Sequence, residues 1–342
     1  MNTPRLLAVV LVSIVLLIVH SYFKRGFRLT FNFFLFALIA ALRKEIGTFF
    51  GSESLMLKGS PFFFPDTSLP FLISFLTVIF GWMFTFYIAC SLAERITDKF
   101  TYFNNKIFPT LLFAGIIAAS ISYAVETVGV NMGWWRWKFY DNRFSNFLVG
   151  DAHFFAMEAW FYFTIHFLAA YFLIECSRFK KISWKCLFFF VYFIRTWSIV
   201  FSGGSNLPRI IEEGIMLCLL VLFSFWLPLE FKLPVLNFKR KLSVFSFKLI
   251  DGLFFLVVFN LVAVLVFLSM VKLKNMHLVI SIFPLITLIL LAIPKIKPLW
   301  VFLFCVCIFI CGGNVMVPTI LPVALFMIFK LFERIPRVLK VQ

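Results

Sequence analysis

AHFFAMEAWFYFTIHFLAAYFLI, residues 152–174, carries one carboxylate, Glu158, and no Lys or Arg. A run of that length and apolarity crosses the roughly 30 Å hydrocarbon core of a bilayer as a single α-helix. The rest of the chain repeats the pattern. Apolar runs at 6–23, 29–42, 69–93, 107–125, 186–203, 210–227, 250–271, 276–293 and 299–332 are separated by short charged loops. Together they predict an all-α fold, a polytopic transmembrane helix bundle of about ten spans within a range of roughly nine to eleven. The run at 29–42 is short for a crossing. The last exceeds one crossing and is interrupted by Gly312, Gly313, Pro318 and Pro322. The first lacks a small-residue cleavage site and leads straight into another apolar run, so it reads as a retained span rather than a signal peptide.

Composition agrees. The 342 residues are 63% hydrophobic and only 14% charged, against about 25% charge in soluble domains. The net charge of +17 sits in the loops between apolar runs, where a topology signal belongs, and no nucleic-acid partner is expected. The seven Cys contain no CxxC pair, and Cys305, Cys307 and Cys311 lie inside an apolar run. There free Cys behaves as a small hydrophobe, so neither a metal site, a disulfide framework nor any cofactor is expected.

Lys and Arg are concentrated after the odd-numbered runs: Lys24, Arg25 and Arg28, then Arg95, Lys99 and Lys106, then Arg178, Lys180, Lys181 and Lys185. Cytoplasmic loops carry this excess. The expectation is a multi-pass protein of the cell membrane with its N-terminus outside. The charged segment 229–248 divides a first membrane bundle, 1–230, which carries the polar residues, from a second and nearly all-apolar region, 249–342. In the second, Asp251, Asn260, His277 and Asn314 read as helix-end or packing residues.

The polar residues of the first bundle gather around one loop. Trp134, Trp135 and Trp137 follow the fourth run, Glu126 closes it, and Asp151 opens the fifth. Each has two readings. Tryptophans anchor membrane interfaces as well as lining sites, and Asp151 suits a helix N-cap as well as catalysis. Glu158 lies roughly 10 Å below the outer end of its span and Arg195 roughly 12 Å below the outer end of the next, at 1.5 Å per residue. Two charges at one depth on consecutive helices are expected to pair, structurally or functionally. His153 lies near the interface and His166 deeper. Their spacing of thirteen residues differs from the four expected of a two-histidine metal motif. Glu213 falls in the first turn of a later helix, where the helix dipole favours negative charge. Facing Glu126 and Glu158 instead, it would complete a carboxylate cluster in an apolar pocket, a usable general acid near neutral pH.

The order Glu126, Gly129, Gly133, Trp135, Trp137, Tyr140, Gly150 and Trp160 resembles the carotenoid biosynthesis membrane proteins that include the carotenoid 1,2-hydratases. The likeness covers about residues 120–165. Gly133-Trp134-Trp135-Arg136-Trp137 fits the family's middle motif. Gly150-Asp151-Ala152 lacks its proline, and the motif occurs once here rather than twice. The resemblance implies a long isoprenoid or other lipid substrate, reached from the bilayer, and addition of water across a double bond. It implies Glu126 as general acid with Asp151 or Glu158 assisting. Trp134, Trp135, Trp137, His153, Arg195 and Glu213 complete the expected site as substrate-binding residues. Three functions stay open on the residues themselves: an enzyme acting on a lipid or isoprenoid, a transporter or flippase of an amphipathic substrate, and a non-catalytic membrane scaffold.

Overall fold

The computed structural model describes residues 3–51, 71–99, 107–132, 148–149, 152–176, 244–272, 281–293 and 296. They form seven α-helices and one minimal hairpin: α1 (Thr3–Arg25), α2 (Phe27–Gly51), α3 (Phe71–Thr97), α4 (Ile107–Asn131), β1 (Leu148–Val149), β2 (Ala152–His153), α5 (Phe154–Cys176), α6 (Val244–Phe267) and α7 (Phe283–Ala292). A π-helical turn, Leu268–Lys272, continues α6. Among the described residues four segments are long and apolar enough to cross a membrane: Leu7–Arg25, Leu76–Thr97, Ile107–Asn131 and Leu249–Met270. This helical architecture is compatible with an integral membrane protein. The sixth, seventh and tenth expected runs lie outside the described residues.

Two differences from the expected spans have local causes. The short second run belongs to a helix of 25 residues, which continues past its apolar part through Arg43, Lys44 and Glu45. The Lys44 ammonium lies 4.6 Å from the centroid of the Trp82 ring, a cation–π contact that accommodates the charge. The fifth helix begins at Phe154, after the hairpin pairs Leu148 with His153 and Val149 with Ala152. The N-cap position of α5 therefore falls at His153 in the chain and not at Asp151.

The chain divides into two compact units. The first contains α1, α2, α3 as far as Tyr87, α5 from His166 and α6 as far as Asn260. Gly26 breaks α1 from α2 with φ 81°, a conformation open to glycine at little cost. The chain bends there, and Thr30 of α2 donates to Ser21 of α1 at 3.0 Å. Phe33, fully buried, is the centre of the unit. It meets Tyr87 at 5.5 Å, Phe167 at 5.4 Å and Tyr171 at 5.0 Å between centroids, edge to face in each case, the arrangement that aromatic quadrupoles favour. On α5, Phe167 and Tyr171 both meet Phe33, and the Tyr171 hydroxyl donates to the Leu29 carbonyl at 3.4 Å. Phe34 stacks on Tyr87 while Lys44 reaches Trp82, so α3 runs opposite to α2.

In the second unit are α3 from Ile88, α4, the hairpin, α5 as far as Ile165, α6 from Leu261 and α7. Its central helix is α4, most of which is buried. Lys99, just past α3, donates from Nζ to the carbonyls of Ile293 at 2.8 Å and Ile296 at 3.3 Å. A cation at that place satisfies orphaned carbonyls and complements the dipole at the end of α7.

Candidate functional site

Within the first unit, α1 carries His20 with 1% of its surface exposed. An apolar helix gives a buried imidazole few options, and its neighbours supply both ring nitrogens. Nδ1 lies 2.7 Å from the Tyr87 hydroxyl of α3, and Nε2 lies 3.5 Å from Oδ1 of Asp251 on α6. The ring stacks on Phe254 at 4.7 Å and 26°. One turn and a residue further along α1, the Arg25 guanidinium stands 5.4 Å from the Tyr87 centroid and 5.5 Å from that of Phe33. Four ionisable or phenolic groups from three helices thus surround one aromatic core. With Asp251 as carboxylate and His20 neutral, Nε2 carries the imidazole proton and Nδ1 accepts from Tyr87.

Nearby in the same unit, Asn32 of α2 donates to Oε1 of Glu175 on α5 at 2.7 Å. Asn32 is buried and Glu175 half-buried. This too joins two helices through a carboxylate.

The second unit holds the carboxylates that the sequence singles out. Glu126 is 3% exposed in α4, and Glu158 is half-buried in α5. The polar neighbours of Glu126 along its own helix bond back to the backbone: Thr127 donates to the Tyr123 carbonyl at 2.6 Å and Asn131 to that of Thr127 at 2.8 Å. The two helices close on Gly115, where a Cβ would fall 2.7 Å from Ile165 Cδ1 and 2.8 Å from the Phe161 ring. The strand β2, directly before α5, lies against α4. An antiparallel pair meets both conditions with β2 beside the body of α4, whereas a parallel pair would set β2 at or beyond its first residue. Counting from Gly115 at 1.5 Å per residue sets β2 level with about residue 126, and sets Glu158 roughly 9 Å from that level on the same side of the Gly115 contact. The backbone of His153 therefore lies level with Glu126.

Asp151, Trp134, Trp135, Trp137, Arg195 and Glu213 lie outside the described residues, and with them the expected pairing of Glu158 with Arg195. Among the described residues no three His, Cys, Asp or Glu side chains gather in a form that could hold a metal ion. His20, Tyr87 and Asp251 are what reading the sequence missed. An ionisable residue inside an apolar run is a functional signal by default, and His20 is such a residue. Its partner Asp251 reads along the chain as a scattered packing residue, because 231 positions separate the two.

Comparison with protein-family models, with curated proteins and with solved structures gives no match. The chemistry therefore rests on this chain's own residues.

Proposed function

We propose that this chain is a multi-pass protein of the cell membrane, N-terminus outside, and that it is an enzyme adding water to a long isoprenoid or related lipid. Glu126 is its general acid. The observation that supports this reading is the burial of the Glu126 carboxyl in an apolar helix, level with β2 and on the same side of the Gly115 contact as Glu158. A carboxyl kept from water delivers a proton to an apolar substrate without competition from solvent.

In the proposed reaction the substrate π bond takes the Glu126 proton and leaves a carbocation. Water adds to the cation and gives up a proton to Asp151 or Glu158, which passes it back to the Glu126 carboxylate and restores the acid. The sum is addition of one water, with no redox change and no cofactor. The resemblance adds Trp134, Trp135 and Trp137 as rings whose faces favour the cation, and His153, Arg195 and Glu213 as further substrate contacts. Membrane lipids and the isoprenoid are the partners this chemistry needs.

Cells that make acyclic carotenoids and express the chain are expected to accumulate products heavier by one water. Loss of a general acid costs roughly 100-fold or more in rate, so Glu126→Gln should abolish the product at unchanged membrane expression. No gain of water in any acyclic isoprenoid supplied would overturn the reading. A second reading, a transporter or flippase, draws on the ionisable cluster at His20. It predicts substrate moved between leaflets with its mass unaltered.

A further inference from the structure

The cluster on α1, α3 and α6 takes no part in the reaction above, yet it places an imidazole between a phenol and a carboxylate inside an apolar bundle. We propose that His20 is a proton-binding site, and that taking up a proton turns the Tyr87 hydroxyl from hydrogen-bond donor into acceptor. The geometry leaves little freedom. Neutral His20 has one N–H and one lone pair. With Nε2–H toward Asp251 at 3.5 Å, Nδ1 accepts the Tyr87 O–H at 2.7 Å. The imidazolium has no lone pair and donates from both nitrogens. Nδ1–H then donates to the Tyr87 oxygen, and the phenolic proton must turn to a different acceptor. One proton is gained, no other bond is made or broken, and a hydrogen bond reverses on α3.

The groups facing His20 divide by sign. Asp251 on α6 is acidic, and Arg25 on α1, set over the Tyr87 ring at 5.4 Å, is basic. From α2, Phe33 and Phe34 lie against Tyr87 and carry no charge. The Asp251 side chain is 29% exposed while that of His20 is 1% exposed, so Asp251 is the more accessible of the pair. A buried base whose charge state resets a hydrogen bond between helices is a minimal device for coupling proton uptake to a change of packing.

The test uses the full-length chain in lipid nanodiscs, with nitrogen-15 histidine and carbon-13 tyrosine. The His20 signals are assigned by His20→Gln or, should that variant not fold, by the through-space contact with Phe254. Between about pH 8 and about pH 5, the range in which histidine titrates, the two unlike ring nitrogens of His20 are expected to converge on the imidazolium position. The Tyr87 Cζ signal should move in step. A His20 that stays neutral at the acid end, or that becomes an imidazolium while Tyr87 does not move, overturns the proposal. The wild-type spectrum decides by itself.

Discussion

Asn32 and Glu175 show how single polar side chains behave inside this bundle. Asn32 is buried, and its amide finds the carboxylate of Glu175 across 143 positions of chain. Hydrogen bonds to charged groups contribute about 1.5–3 kcal/mol, and an orphaned charged partner costs more than an absent pair. Asn32→Leu should therefore lower stability by about 2 kcal/mol, read as an earlier thermal midpoint in detergent micelles. Glu175→Gln, which keeps an acceptor oxygen, should cost less. Equal losses would place the effect in packing rather than in this bond. At the same scale lies the largest gap between chain and structure. Glu126 can be picked out by eye, because a carboxylate closing an apolar run stands out. Neither Asn32–Glu175 nor His20–Asp251 can be, since each pair joins residues that only tertiary contact brings together. Periodicity says where a helix lies and not which helix it meets.

At the scale of elements, the helices follow from the apolar runs. The fourth run, expected at 107–125, is a helix over Ile107–Asn131, and its longer end keeps Glu126 inside the helix. The second run shows the opposite limit. Reading hydropathy stops it at residue 42, yet the backbone stays helical to Gly51, because helix propensity and a Lys44–Trp82 contact do not depend on apolarity. What sequence alone does not locate is the closest approach between helices. In a membrane small residues set such approaches, and Gly115 is the one that lets α5 close on α4. Gly115→Ala should cost about 1–3 kcal/mol through overpacking, softened because the nearest atoms are the ends of the Ile165 and Phe161 side chains. Gly115→Leu should cost more and should separate the levels of Glu126 and Glu158. Thermal unfolding of both variants in one detergent checks the order. A Gly115→Leu variant as stable as wild type would mean that the two helices do not depend on that contact.

For the whole molecule, every ionisable residue discussed above takes its meaning from a bilayer around the helices. Large apolar side chains left exposed on α1 and α6, among them Val12 at 61%, Val15 at 58%, Leu249 at 58% and Leu256 at 60%, form stripes that suit lipid and that water would penalise. The opposed contacts of α2 and α3, together with Lys and Arg gathered after the odd runs, give the proposed topology its sense. That topology is the central claim, and reporter fusions test it most directly. Full-length insertions of a reporter active only in the cytoplasm, and of one active only outside, would be placed next to Gly26, after Lys99 and after Met132. Cytoplasmic activity is expected at Gly26 and Lys99, and outside activity at Met132. Activity on a single side at all three positions would contradict that topology.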